Sequence, residues 1–377
     1  MSALRFHWFL PTGGDSRGIV SGGHGAEVGF TAAGRPPELS YLRQVAQAAE
    51  TNGFEAVLTP TGLWCQDSWL MTSAIAQHTE RLKFLVAFRP GSLTPTLGAQ
   101  MAETFQNVTG GRLALNIVTG GEPAEQRAFG DFLDKTGRYE RTGEFLDILS
   151  RLWDGGEPFD YRGRHLSVEG AKLAHLPEPR PEIYFGGSSA PAGDVAARHS
   201  DVYLTWGEPP AQAREKIEWI RGLAAEQGRR PRFGIRLHTI SRDTSAEAWA
   251  VAERLLRDVP EELIARQQSA LAASESTGQR RMLDLHGGRT SDLEIHPGLW
   301  AGVGLLRGGA GTSLVGSHEE VAALIEEYAE AGFEEFVLSG YPCLEEAYWF
   351  GEGVRPVLER KGLLGAQPEG ALVPAAG

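Results

Sequence analysis

The feature that most constrains the fold of this chain is a regular alternation of short apolar, β-rich runs with longer amphipathic segments. Such alternation predicts an α/β fold in which parallel strands are joined by helical crossovers. The predicted strands span residues 5–10, 56–59, 82–88, 113–118, 182–185, 202–205, 233–240 and 335–338. The predicted helices span residues 38–51, 67–78, 94–108, 138–153, 190–199, 209–227, 246–257 and 317–331. Eight strands with helical crossovers favour a (β/α)8 TIM barrel over an open doubly wound sheet.

Two stretches are too long for the minimal repeat. Residues 13–37 are rich in glycine, and residues 260–311 combine helical patches with the glycine-rich end Arg307-Gly-Gly-Ala-Gly. Insertions that follow barrel strands lie at the catalytic face and often act as lids. A length of 377 residues by itself allows one domain or two. The pattern predicts one barrel domain over residues 1–365 with both insertions at its C-terminal face, followed by a disordered tail at 366–377.

The charge balance narrows the range of partners. The chain has 36 basic and 49 acidic residues, a net charge of −13, so there is no excess positive field to bind nucleic acid or an anionic membrane. No signal peptide and no membrane-spanning stretch is recognisable. The two cysteines, Cys65 and Cys343, lack metal-type spacing, which fits a reducing compartment. We expect a cytoplasmic protein without a metal site.

The seventh predicted strand carries the first candidate site. It reads Arg232-Phe-Gly-Ile-Arg-Leu-His, and its period of two places Arg236 and His238 on the inward face near the C-terminal end of the strand. Two cationic groups so close would repel each other unless an anion joined them. The alternative is that Arg236 pairs with an acidic neighbour and His238 is a satisfied core histidine.

Other candidates follow strands five, six, eight and two. A predicted helix begins after Gly186-Gly-Ser-Ser. Ser188 or Ser189 is either an ordinary N-cap of this helix or part of a phosphate site formed by free backbone amides. Trp206 and Tyr341 stand at the barrel mouth, where they pack on an aromatic ligand or only on the rim. Cys65 is a site residue or an inert thiol. No metalloprotease, hydrolase-elbow or paired-cysteine motif is present, which points to an organic cofactor.

Together these motifs resemble the alkanesulfonate monooxygenases of the bacterial luciferase-like group over nearly the whole chain. The resemblance rests on Phe9-Leu-Pro-Thr-Gly-Gly-Asp, Pro60-Thr-Gly-Leu-Trp-Cys, Asn116-Ile-Val-Thr-Gly-Gly, Tyr184-Phe-Gly-Gly-Ser-Ser, Tyr203-Leu-Thr-Trp-Gly-Glu-Pro-Pro, Phe233-Gly-Ile-Arg-Leu-His, Leu299-Trp-Ala-Gly-Val-Gly-Leu-Leu-Arg-Gly-Gly-Ala-Gly-Thr and Ser339-Gly-Tyr-Pro. It implies a two-component system, in which a separate NAD(P)H-dependent flavin reductase supplies reduced FMN (FMNH2). The barrel enzyme then uses O2 to cleave an organosulfonate into sulfite and a carbonyl product. A homodimer or homotetramer is implied as well.

The resemblance also assigns residues. The sulfonate contacts fall on Trp206, Arg236, His238, Arg307 and Tyr341. The catalytic set comprises Arg236, His238, Arg307, Tyr341 and Cys65, with Cys65 near the flavin and the proton carried by His238 or Arg307. The FMN phosphate falls on Gly187, Ser188 and Ser189 with Tyr139 nearby, while Asn116, Val118 and Thr119 line the flavin. Closure of residues 260–311 would bring Arg307 over the site and exclude water.

This chain departs from the family pattern at one pocket. Gly13 stands where many members have histidine, Leu63-Trp64 replaces Arg-Ser before the cysteine, and Cys343 replaces a frequent histidine. These changes suggest that the substrate carries a different organic group, either one bulkier than a linear alkane or a sulfosugar such as sulfoquinovose. Two other functions remain open: an F420-dependent or other luciferase-like oxidoreductase that transfers hydride, and a sulfonate-binding barrel without turnover.

Overall fold

A computed structural model of the chain describes residues 3–19 and 34–365. The strands are β1 (Arg5–Phe9), β2 (Ala56–Thr59), β3 (Lys83–Phe88), β4 (Leu113–Ile117), β5 (Phe159–Arg162), β6 (Ser167–Ala171), β7 (Glu182–Phe185), β8 (Val202–Trp206), β9 (Arg232–Arg242), β10 (Glu294–His296), β11 (Leu299–Trp300), β12 (Ser313–Ser317) and β13 (Glu335–Ser339). The helices are α1 (Leu39–Thr51), α2 (Ser68–Ala76), α3 (Pro95–Thr109), α4 (Pro123–Ala128), α5 (Lys135–Asp154), α6 (Ala190–His199), α7 (Pro210–Glu226), α8 (Ser245–Arg257), α9 (Glu261–Ala272), α10 (Thr277–His286), α11 (His318–Ala331), α12 (Cys343–Tyr348) and α13 (Arg355–Arg360).

Eight parallel strands close into a barrel, as the sequence predicts. Going around it, β1 pairs with β2, β3 follows, then β4, β7, β8, β9 and β13, and β13 pairs with β1 again. These are the eight predicted strands, so the predicted TIM barrel is confirmed. Their apolar runs are buried on both faces because helices cover the outside while side chains fill the interior.

Local sequence signals account for the helix ends that matter most. Thr244 and Glu247 form a capping box at the start of α8, and Ser317 and Glu320 form another at the start of α11. The helix α3 ends at Gly110, whose φ of 67° suits the left-handed residue after a helix. The eight predicted helices begin and end within a few residues of the observed ones.

The amino end of the barrel is closed by a buried carboxylate. Glu335, fully buried at the start of β13, lies 3.1 Å from His7 Nε2, and it accepts a hydrogen bond of 2.6 Å from the Tyr184 hydroxyl and one of 2.7 Å from Arg232 Nε. Burial alone would raise its pKa, but these donors outweigh burial and hold the pKa of Glu335 at about 2. This end is thus a structural plug, and the opposite end is left for ligands.

The insertion at residues 260–311 is ordered structure. It contains α9, α10 and the β10–β11 pair, and β11 joins β12 in antiparallel register. The strand β12, which the sequence analysis missed, pairs with residues His238 to Arg242 of β9 beyond the point where β8 ends. A second apolar cluster, which includes Ile240, Val303 and Leu305, fixes the insertion to the end of β9.

The other predicted irregular regions are only partly described. Backbone hydrogen bonds between Asp15 and Arg35 join the two ends of the stretch at 13–37, and residues 20–33 lie outside the described part of the chain. The predicted disordered tail at 366–377 also lies outside it. The β5–β6 hairpin and helices α12 and α13 were not predicted. Within residues 3–19 and 34–365, none of the helices is both long and apolar enough to cross a bilayer.

Candidate active site

A cavity of about 230 Å³ opens at the carboxyl ends of the barrel strands. Its floor is formed by residues at or near those ends, namely Phe9, Leu58, Ala87, Asn116, Gly186, Thr205 and Trp206, and by Arg236 in the middle of the longer strand β9. Two parts of the insertion complete its wall, residues 275–278 and residues 307–310. Because parallel strands all point the same way, side chains distant in sequence meet here.

The structure brings together ten of the thirteen predicted site residues on the cavity wall: Asn116, Val118, Thr119, Tyr139, Gly187, Ser188, Ser189, Trp206, Arg236 and Arg307. The other three do not line the cavity: His238 and Tyr341 are buried behind the wall, and Cys65 is half-buried next to the wall residue Trp64. No three His, Cys, Asp or Glu side chains within the described ranges are grouped so that they could hold a metal ion.

One end of the cavity has the geometry of an anion cradle. A Cβ at Gly186 would collide with the carbonyl oxygen of Leu204, and Gly187 has a φ of 153°, so the backbone here requires glycine. Ser189 is the N-cap residue that precedes α6, and its side chain makes no hydrogen bond to the backbone amides of that helix. The hydroxyl of Thr119, also on the wall, is buried without a hydrogen-bond partner among the described residues. Free donors at a helix start suit a phosphate.

Two cations beside this cradle were missed by sequence reasoning. Lys135 Nζ donates to the Glu275 carbonyl oxygen at 2.9 Å, and Arg138 Nη2 lies 3.0 Å from the Glu275 carboxylate. Burial lowers the pKa of Lys135. Both side chains line the cavity, and they precede Tyr139 on α5 by four residues and by one residue. The spacing of four residues places Lys135 on the same helix face as Tyr139 and was a usable signal. Arg138 is on a different face from Tyr139, and Glu275, the partner of both cations, comes from the insertion.

The other end of the cavity holds two arginines, Arg236 and Arg307. Arg236 is 5% exposed and donates to Ser339 Oγ at 2.7 Å, to the Val337 carbonyl oxygen at 3.4 Å and to the Leu237 carbonyl oxygen. Burial, reinforced by the charge of Arg307, lowers its pKa to about 9. Among the described residues neither arginine forms an ion pair, so the predicted alternative of an acidic neighbour for Arg236 is not what the described structure contains.

Aromatic rings bring the two guanidinium groups together. The Cζ atom of Arg236 lies 4.9 Å from the centre of the Phe9 ring, and the Cζ atom of Arg307 lies 5.3 Å from it. Arg307 also lies 5.8 Å from the ring of Trp64. Trp64 is one of the departures from the family pattern, and its indole is seated against Gly13 and Gly62, where any Cβ would collide with it. The glycine at position 13 therefore makes room for the tryptophan.

The three predicted residues that do not line the cavity have pKa values shifted toward their neutral forms. His238 stacks on Tyr341 with ring centres 5.3 Å apart, and burial together with Arg236 and Arg307 lowers the pKa of His238 well below its ordinary value. Tyr341 accepts a 3.4 Å hydrogen bond from Arg307, and burial raises its pKa. Burial likewise raises the pKa of the Cys65 thiol to about 12, which disfavours thiolate chemistry there.

A third cluster links the barrel to the insertion. Glu208, buried in the cavity wall, accepts a hydrogen bond from Lys216 at 2.6 Å and pairs with Arg281 of α10. Burial would raise the pKa of Glu208, but these two cations outweigh it and lower the pKa. This carboxylate was not recognised from sequence, since its partners are 8 and 73 residues away.

The fold and this cavity define a TIM-barrel protein with a glycine-rich helix start at one end of its cavity and, at the other end, two arginines that form no ion pair within the described residues. The chain belongs to the luciferase-like monooxygenase family, whose model matches residues 4–335. The predicted luciferase-like group is thereby confirmed, and the alkanesulfonate branch within it stays a prediction.

Solved structures show the same fold at low identity. A riboflavin lyase with modified FMN and riboflavin is 19% identical, with a TM-score of 0.81 over 98% of this chain and 94% of that chain. A long-chain alkane monooxygenase is 20% identical, with a TM-score of 0.78 over 98% and 94%. An F420-dependent secondary alcohol dehydrogenase is 16% identical, with a TM-score of 0.69 over 94% and 99%. At these identities the likeness concerns the fold alone.

Proposed function

We propose that the protein is the oxygenase of a two-component system, which uses reduced FMN and O2 to cleave the carbon–sulfur bond of an organosulfonate. The bond breaks with its electron pair on sulfur, which leaves as sulfite. One oxygen atom of O2 becomes the carbonyl oxygen of the product and the other leaves as water, while reduced FMN ends as FMN. A separate NAD(P)H-dependent reductase restores the reduced flavin.

The observation that carries the proposal is the pair Arg236 and Arg307, which form no ion pair with a carboxylate in the part of the chain that the structure describes. A buried guanidinium without a counter-ion is costly, and the cost is tolerated when the ligand is the counter-ion. A sulfonate is a permanent anion with three acceptor oxygens, which suits two groups that each present several N–H donors. The apolar faces of Phe9 and Trp64 beside them exclude water from the carbon next to sulfur.

The residues at the opposite end fit FMN. Within the described residues the backbone amides of Ser188 and Ser189 donate no hydrogen bond, so together with the start of α6 they suit its phosphate, and Lys135 and Arg138 add positive charge. Asn116 supplies a further polar group on the cavity wall, and Thr119 supplies its buried hydroxyl. When bound, reduced FMN supplies the electrons that activate O2. The chain's own part is to hold flavin and sulfonate at fixed places and to keep water out.

The decisive experiment is a coupled assay that measures sulfite. The full chain is combined with FMN, NAD(P)H, a flavin reductase and oxygen, together with linear alkanesulfonates, taurine-like compounds or sulfosugars. We expect sulfite from at least one class and none without oxygen. Sulfite from no compound would contradict the proposal. Turnover with F420, combined with weak binding of reduced FMN, would favour hydride transfer, and sulfonate binding without turnover would favour a binding barrel.

Two variants test the assigned ends. Arg236→Ala should lose saturation by sulfonate while keeping its affinity for FMN, since Arg236 lies at the cationic end. Arg236→Lys keeps the charge but not the forked donor geometry, so partial recovery of sulfonate affinity is expected. If Arg236→Ala loses flavin affinity and keeps sulfonate affinity, the two ends have been assigned wrongly.

A further inference from the structure

His238 lies between two serines in the barrel register. On one side it faces Ser339 of β13, and on the other side Ser313 of β12. The hydroxyl oxygen of Ser339 is 2.8 Å from His238 Nδ1 and 2.7 Å from Arg236 Nη2. On the far side of the ring, His238 Nε2 is 3.1 Å from the carbonyl oxygen of Ala310. All of these residues are buried, so the bonds form without competing water.

For a neutral ring, the donors and acceptors of this chain allow only one arrangement of hydrogens. A carbonyl oxygen only accepts, so the hydrogen of the neutral imidazole is on Nε2 and points to Ala310. The other nitrogen, Nδ1, is then an acceptor. Ser339 Oγ accepts from Arg236, which has only donors, and its own hydrogen points to His238 Nδ1. The low pKa of His238 agrees with the neutral ring.

We propose that Ser339 is a positioning residue that fixes His238 as the Nε2–H tautomer and, through Ala310, holds the segment of residues 307–310 at the cationic end of the cavity. Ser339 thus joins the two arginines: it binds Arg236 directly and Arg307 through His238 and the backbone. Both ring nitrogens of His238 are engaged, so His238 acts through this segment and not on the substrate. The consequence for turnover rests on the proposed function, whereas the hydrogen-bond assignment does not.

Ser313 provides a matched control. It is buried like Ser339, it flanks the same histidine in the register, and its hydroxyl donates to the Leu314 carbonyl oxygen at 3.3 Å and not to the ring. Ser313→Ala and Ser339→Ala therefore remove the same atom at neighbouring sites. Only Ser339→Ala removes a hydroxyl that donates to His238 Nδ1 and accepts a hydrogen bond from Arg236.

The first measurement is the tautomer of His238 in the full chain without flavin. Nitrogen NMR of protein labelled in histidine, with the His238 signal assigned by its loss in His238→Gln, should show a protonated Nε2 and a bare Nδ1 at neutral pH. The Nδ1 signal should move toward that of an unbonded acceptor in Ser339→Ala and stay unchanged in Ser313→Ala. A wild-type ring protonated at Nδ1, or charged, would overturn the proposal.

The second measurement is amide hydrogen exchange in the segment that carries Arg307. The Gly309 amide donates to Gln279 Oε1 at 2.9 Å and the Arg307 amide to the Val303 carbonyl oxygen at 3.0 Å, so both should be protected. Ser339→Ala should speed their exchange by about fivefold, the factor that one net hydrogen bond represents. Ser339→Thr, which keeps the hydroxyl, should restore protection. Equal acceleration in Ser339→Ala and Ser313→Ala would mean a simple packing effect and refute the inference.

The coupled assay separates this inference from the proposed function. Ser339→Ala should release more hydrogen peroxide and less sulfite per NAD(P)H consumed, with FMN affinity unchanged, while Ser313→Ala behaves as the unmodified chain. If the tautomer and the exchange rates are as expected but the unmodified chain oxidises no sulfonate, the positioning role of Ser339 stands and the proposed function fails.

Discussion

Replacing Arg236 with methionine should stabilise the folded protein while it abolishes anion binding. The side chain is buried, it has no counter-ion among the described residues, and Arg307 lies close enough to repel it. Methionine fills a similar volume without charge, and replacing an uncompensated buried charge by an apolar group favours folding. We therefore expect a trade between stability and function at this position.

The magnitude follows from the pKa and the hydrogen bonds. A shift of the Arg236 pKa from 12.5 to about 9 corresponds to about 5 kcal/mol of unfavourable charge burial at neutral pH. Methionine forfeits the bonds to Ser339 and to two carbonyl oxygens, which offsets roughly 3 kcal/mol of this gain. The free energy of unfolding should rise by about 2 kcal/mol. The sign agrees with linkage: a depressed arginine pKa destabilises the fold below pH 9, and the penalty disappears as the pH rises toward 12.5.

Arg232 on the same strand supplies the matched control. Arg232 lies on the same face of β9 as Arg236, but it is paired with Glu335 at 2.7 Å and with Glu182 at 2.7 Å. Arg232→Met removes a cation that pairs with the buried Glu335, so it should lower the free energy of unfolding by about 3–5 kcal/mol. Urea unfolding gives both values, and methanesulfonate should raise the stability of the unmodified chain but not that of Arg236→Met. Destabilisation by Arg236→Met similar to that by Arg232→Met would refute the reasoning.

Other perturbations test the plug, the cradle and the insertion. Glu335→Gln should lower the free energy of unfolding by about 3 kcal/mol at pH 7, because a depressed carboxyl pKa stabilises the fold above pH 4.5 and this benefit is lost as the pH falls toward 2. Urea unfolding should therefore show a smaller difference in stability between variant and unmodified chain at about pH 3. An equal difference at both pH values would contradict this. Gly186→Ala should weaken FMN binding by roughly tenfold in a fluorescence titration, because its Cβ would meet the Leu204 carbonyl oxygen. Gly222→Ala, whose Cβ would meet no atom, should leave the affinity unchanged. Equal FMN affinities of the two variants would exclude the cradle as the phosphate site. Arg307→Ala should raise peroxide release per NAD(P)H several-fold, and unchanged coupling would count against a sealing role for this segment.

The barrel was predictable because each strand carries its own local signal. Buried parallel strands read as short apolar runs, and the capping residues Thr244 and Ser317 mark helix starts without any tertiary information. The strand β12 escaped because its five residues lie between a glycine-rich stretch and a helix cap, and only pairing with β9 beyond the end of β8 defines it. The β5–β6 hairpin escaped because its alternate residues are exposed and its apolar content is low.

The candidate site was predictable where a residue's place along a strand decides its direction. Trp206 and Arg236 reach the cavity wall because they lie on strands whose ends point there. Period and spacing say nothing about depth behind that wall, so His238, two residues beyond Arg236, was expected at the substrate and lies behind the wall with both ring nitrogens engaged. The charges of Lys135 and Arg138 were missed since the insertion supplies their partner.

The two ends of the cavity treat an incoming anion differently. At the cradle, Arg138 already holds the carboxylate of Glu275 from the insertion, so a phosphate that binds there competes with a group of the protein. At the other end Arg236 and Arg307 hold no carboxylate among the described residues, so a sulfonate meets no competitor. The insertion contributes to both ends, through Glu275 at one and Arg307 at the other. Under the proposed function, a phosphate at one end and a sulfonate at the other would both contact the insertion at residues 260–311, and this shared contact would couple the two binding events.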